Sequence, residues 1–218
     1  IGLRDAARRG VGAWAYGALL GQEPQVRVGA GARATIPETP LRLGFASQFD
    51  LQTAPVTGER RGDGDLVVGA GALLAEAGEG SLALDLTMWI PTRPAPEGFG
   101  RVRLVPSLEA AWHPHPLLAL RTRQGMLIDA SETGARAWAF AVGADLVPVE
   151  WLALGLELDA ALGALVGLEG ALLALGGGVE LRVEWLEIAL GVRVALTDEA
   201  RVSASPIAGV LSLRAFSR

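Results

Sequence analysis

Cysteine, lysine and asparagine are all missing from these 218 residues. Without cysteine there are no disulfides and no thiolate metal sites. Without lysine, all 19 basic residues are arginine, and no run of them forms a block able to neutralise phosphates. The net charge of -5 is modest and spread along the chain, which excludes nucleic acid as a partner class. Residues 1–20 also lack a charged start followed by an apolar core and a small-residue cleavage site, so export is not directly visible.

Long apolar helical runs are scarce as well. One stretch, AALGALVGLEGALLALGGGV (160–179), has the length of a membrane helix and carries only Glu169 as a charge. Against a helix stand Gly170, Gly176, Gly177 and Gly178, and a two-residue alternation that enters the stretch from both sides.

What the chain does have is period two. VRVGAGARATI (26–36) sets Val26, Val28, Ala30, Ala32, Ala34 and Ile36 on one side and Arg27, Gly29, Gly31, Arg33 and Thr35 on the other. About a dozen such segments follow one another, close to the length a membrane strand needs. They span 10–20, 24–36, 40–52, 65–76, 80–91, 101–113, 117–128, 135–147, 151–166, 171–184, 186–197 and 206–216. One face is nearly all Leu, Val, Ile and Phe, as in Leu152, Leu154, Leu156 and Leu158. The other mixes charge with very small residues, as in Glu187, Ala189, Gly191 and Arg193.

The connections alternate in length. After even-numbered segments they are brief: PETP (37–40), EAGEG (76–80), HPHP (113–116), VPVE (147–150) and the turn at Glu184 and Trp185. After odd-numbered segments most are longer, as in TAPVTGERRGDG (53–64) and TRPAPEGFG (92–100), with GQEP (21–24) the exception. Short turns at one end and longer loops at the other is the outer-membrane pattern. Trp14, Trp112, Trp138 and Trp185, with Trp89 and Trp151, fall toward strand ends, as interfacial belts require.

Two arrangements suit such strands, a soluble sandwich or barrel with the apolar face inward and a membrane barrel with it outward. If the polar face met lipid, roughly twenty charges would each cost about 2–4 kcal/mol near the midplane, so in a membrane the Leu/Val face points out. In water, about a dozen strands would enclose more space than Leu and Val can pack. The expected fold is therefore all-β: a transmembrane, antiparallel, up-and-down β-barrel of about 12 strands. It is formed by residues 10–218 after an N-terminal segment, 1–9, with both termini periplasmic.

GDGDLVVGAGALL (62–74) followed by WIPT (89–92) resembles the "GxGDLxxGxxxxL … PTG" rhythm of outer-membrane transporters and of the N-terminal barrels of OmpA-family proteins in myxobacteria and their relatives. Arg93 stands where that pattern has glycine. GVLSLRAF, ending on Phe216, is similar to the aromatic C-terminal strand read by the outer-membrane insertion machinery. The resemblance implies a Gram-negative outer-membrane barrel in contact with lipid and lipopolysaccharide.

The expected pore lining is Arg27, Arg33, Arg42, Glu109, Arg121, Arg123, Glu157, Asp159, Arg182, Glu187 and Arg193, with Arg121, Arg123, Glu157, Asp159 and Arg193 forming the narrowest layer. Hairpin pairing is expected to set Glu109 near Arg121 and Arg182 near Glu187. Acids gather on the eighth to eleventh segments and arginines on the second, sixth and seventh, which allows a transverse field. Catalysis finds little support, and no cofactor or metal is expected. His113 and His115 share a Pro-punctuated turn, two ligands short of a structural zinc site. Glu59, Asp63 and Asp65 lack the full ligand series of a calcium loop. The expected function is passive passage of small polar solutes or ions. The alternative is an anchoring barrel of an envelope assembly, bound to other envelope proteins and plugged by salt bridges or by residues 1–9.

Overall fold

The computed structural model describes residues 11–20, 25–36, 39–53, 60–91, 102–130, 136–165, 168–198 and 206–216. Twelve strands make up almost all of it: β1 Val11–Leu20, β2 Gln25–Thr35, β3 Leu41–Thr53, β4 Arg60–Ala77, β5 Gly80–Pro91, β6 Arg103–His115, β7 Leu118–Asp129, β8 Arg136–Val149, β9 Leu152–Leu165, β10 Leu168–Val183, β11 Leu186–Ala195 and β12 Ile207–Phe216. Each pairs antiparallel with its sequence neighbours, and β1 closes on β12 from Gly12 opposite Phe216 to Leu20 opposite Ala208. Closure leaves no edge, so backbone groups pair within the wall, the condition for a sheet to cross hydrocarbon.

The boundaries follow the period-two pattern to within a few residues except at β4, which begins at Arg60. Asp63 and Asp65 therefore lie on a strand paired with β3, not in a calcium loop; Glu59 lies outside the described residues. Residues 160–179 divide between β9 and β10, which overturns the helix alternative. Their link at 166–167 is a second short connection at the end where the other links are mostly longer. The opposite, turn end carries the links 36–40, 78–79, 116–117, 150–151 and 184–185, together with the start of β1 and the end of β12. Glu184 sits in one of these turns with a left-handed φ of 46° and is exposed.

The two faces are inverted relative to a water-soluble sheet protein. Among the described residues every buried apolar residue is alanine, and 33 large apolar side chains are exposed, among them Leu156, Leu190 and Leu43. Buried polar residues include Arg121, Asp129, Asp145, Glu180, Glu187 and Arg214. Half-exposing a large apolar side chain to water forfeits about 1 kcal/mol. Thirty or so would together exceed the roughly 5–15 kcal/mol by which domains are stable. The medium around this barrel is hydrocarbon, and the soluble alternatives are excluded.

Twelve strands about 4.8 Å apart and tilted by about 40° close into a backbone cylinder of roughly 12 Å radius. Filling it would take large side chains. Much of the inner wall is instead Gly and Ala, as in the adjoining row Gly155, Gly178 and Gly191.

Candidate functional site

Strand parity fixes which residues share the interior. One row across the wall runs Ala111, Arg121, Gly143, Glu157, Gly176, Arg193 and Ala208 on β6 to β12. Three of the residues expected at the narrowest layer, Arg121, Glu157 and Arg193, thus occupy one ladder row, separated by glycines. Asp159 and Arg123 lie one inward step along their strands.

The glycines make room. A Cβ on Gly143 would lie 3.3 Å from the Leu156 carbonyl oxygen and 3.6 Å from Nη2 of Arg121, so the Arg121 guanidinium lies over the bare backbone of β8. From there Nη2 reaches Oδ2 of Asp145 at 2.5 Å, with the two side chains 8% and 3% exposed. Hairpin pairing across HPHP would set Arg121 near Glu109. β6 instead runs on through His115 and the chain turns at Pro116 and Leu117, so Glu109 stands opposite Arg123 and Arg121 opposite Ala111.

A second buried cluster closes the turn end of β10 to β12. Nε of Arg182 donates to Oε1 of Glu180 at 2.8 Å and lies 3.4 Å from Oε1 of Glu187, its register partner. Oε2 of Glu187 lies 3.9 Å from Nη1 of Arg214. Glu187 thus bridges two arginines, and Arg214 was absent from the narrow set expected at the site. Its signal was present: Arg214 shares the inner parity of β12 directly opposite Glu187.

Farther from the turns the ionic contacts open. Nε of Arg193 donates to Oδ2 of Asp159 at 3.3 Å, with the side chains 42% and 26% exposed. Arg123 is exposed and Glu157 half-buried on the same wall. Arg33 is half-buried on β2, opposite Gly44. The side chains of Trp14, Arg27 and Arg42 lie outside the described residues. Register sets Arg27 opposite Asp50, Arg42 opposite Gly71, and Trp14 opposite Arg214 and Gly31, on the inner parity.

On the outer face Trp112 and Trp185 are exposed at the turn end and Trp138 at the other. The histidines brace turns: His113 Nδ1 lies 3.3 Å from the Glu79 carbonyl oxygen, and His115 Nδ1 accepts from the Leu117 amide. Among the described residues no three metal-ligating side chains gather.

No family model and no curated protein sequence matches this chain. Solved structures do. The chain is similar to the NanC porin (TM-score 0.72, 6% identity, 94% of this chain and 100% of that one) and to the KdgM porin (0.69, 8%, 95% and 99%). It is also similar to an outer membrane channel from Pseudomonas putida F1 (0.66, 10%, 96% of each). At these identities the likeness is one of fold, and the fold is a closed antiparallel barrel of the outer-membrane porin kind.

Proposed function

We propose that this protein is an outer-membrane pore through which small polar solutes or ions pass passively, held by lipid and lipopolysaccharide around its apolar face, with the turn end periplasmic. The observation that carries the reading is the Arg193–Asp159 pair: both charges project from a closed wall into interior space and stay part-exposed. A packed core would seal such a pair. The barrels of similar fold named above are porins or channels, and the KdgM porin has been solved in complex with disordered oligogalacturonate. The motif at 62–74 and 89–92, which resembles OmpA-family barrels of myxobacteria, points to the same envelope.

Planar-bilayer recording tests the reading. Folded protein, identified by gel mobility that shifts on heating, is expected to give discrete current steps, altered when Arg121 and Arg123 are both replaced by Ala. Inserted protein that passes no current removes the pore. One observation favours the second reading, an anchoring barrel with a sealed lumen: the turn-end ion pairs are almost wholly buried. Co-purifying envelope proteins together with zero conductance would establish it.

A further inference from the structure

The interior is divided along its length, and part of one wall away from the turns is apolar. On β5 to β12 the ionic clusters lie toward the turns: Arg121, Asp145, Glu180, Arg182, Glu187 and Arg214. Toward the other end the same inner parity carries Trp89, Val105, Leu127 and Leu172, all half-buried. Val67 on β4 joins them, directly opposite Trp89. Trp89 stands opposite Arg103, Val105 opposite Thr87, and Leu127 opposite the small Ala137. Ala139, the next inner residue of β8, is half-buried like them, so this stretch of wall keeps part of its surface toward the lumen.

A charged lumen needs no such surface. Lining that only has to stay wet is served by Ser, Thr, Gln or charge. A tryptophan with three aliphatic neighbours on the inside of a membrane barrel exposes to the lumen the apolar area that the outer face gives to lipid. Leaving that area against water is unfavourable in proportion to its size, and a ring laid on it removes both surfaces from water at once.

We infer that Trp89, Val67, Val105 and Leu127 form a binding subsite for a small polar solute that carries an aryl ring, the ring resting on Trp89 and the polar body directed toward Thr87 and the charged half. The subsite rests on the pore reading for its access and sharpens it. The lumen selects for an apolar face at one end and for charge at the other, so a solute crossing it is amphipathic. The Arg103–Asp129 register pair beside Trp89, with Asp129 buried, is matched in charge, so net charge on the solute is not what the subsite reads.

The test compares salicin, an aryl glucoside, with glucose, which lacks the ring, on the full chain in planar bilayers. Salicin is expected to interrupt the potassium chloride current at concentrations where glucose does not. Trp89→Ala is expected to raise the half-blocking concentration roughly three- to tenfold, the range one aromatic contact supplies, and Trp89→Phe to restore most of it. Equal block by the two solutes, or an unchanged half-blocking concentration in Trp89→Ala, overturns the subsite. Should inserted wild type carry no current, the pore reading fails, and the subsite is judged by equilibrium dialysis of radiolabelled salicin against the barrel in lipid nanodiscs. Binding that is weakened in Trp89→Ala upholds it, and identical binding overturns it. If Trp89→Ala does not fold, Leu127→Ser carries the same comparison.

Discussion

The turn-end half and the loop-end half of this lumen use the same strands and solve different problems. Near the turns, Arg121–Asp145 and Glu187–Arg214 are at most 9% exposed, and charge is packed against charge over bare glycine backbone. Halfway along the wall, Arg193–Asp159 stands open, and beyond it the inner face of β5 to β7 sets Trp89, Val105 and Leu127 beside the Arg103–Asp129 register pair. Ion pairs therefore act as structure where they are sealed and as lining where they are wet. Inner parity alone does not say which.

The sharpest way to break that contrast is to remove one partner of a buried pair. Asp145→Ala leaves the Arg121 guanidinium, 8% exposed, without the carboxylate that holds it, and is expected to destabilise the barrel by about 3–5 kcal/mol. Urea unfolding in lipid vesicles measures it. The double variant Arg121→Met with Asp145→Leu is expected to recover most of the loss, since replacing both partners removes the buried charge. A single variant as stable as wild type would mean that water already reaches the pair.

Packing density gives a smaller, independent contrast. A Cβ on Gly178 would lie 2.6 Å from the Leu190 carbonyl oxygen, whereas one on Gly69 meets nothing nearer than 3.8 Å. Gly178→Ala is expected to cost about 1–3 kcal/mol as two backbones are forced apart, and Gly69→Ala to lie within about 0.5 kcal/mol of wild type. The same vesicle unfolding measurement reads both. Equal effects would show that the wall near the turns has slack.

The fold was legible in the sequence because one physical signal dominated it. Hydrocarbon outside and water inside force strict alternation, and a one-residue slip would turn a whole strand inside out. The boundaries of β5, at Gly80 and Pro91, therefore match the expected segment residue for residue. Pairings were less legible because they depend on turn geometry. Arg182 and Glu187 do stand opposite each other, two residues either side of the tight Glu184–Trp185 turn. Arg121 and Glu109 do not, because β6 runs on through His115 and the chain turns at Pro116 and Leu117, later than the two prolines of HPHP suggest. Trp89 was placed by its distance from a strand end, which is the same for either face; only parity puts it inside.

The smallest effect on stability should accompany the clearest effect on transport. Arg193 is 42% exposed and Asp159 26%, so Asp159→Asn is expected to lower stability by less than about 1 kcal/mol, the ordinary worth of a pair in contact with water. The same change removes one negative charge from the open part of the wall, beside Arg193. Cations entering there then lose one attracting charge, and at a few ångströms through partly aqueous surroundings that is worth about 1 kcal/mol. The cation-to-anion permeability ratio, read from the reversal potential in a salt gradient, should fall roughly two- to fivefold. Arg193→Gln, which leaves Asp159 alone, should raise it by a similar factor. Both shifts should fade toward 1 M salt, where the screening length shrinks to about 3 Å. Glu187→Gln, a change of the same charge within the sealed cluster, should move the ratio far less, because solutes do not approach it. If Glu187→Gln shifts the ratio as much as Asp159→Asn does, the permeation path runs past the turn-end cluster, and its ion pairs are lining after all.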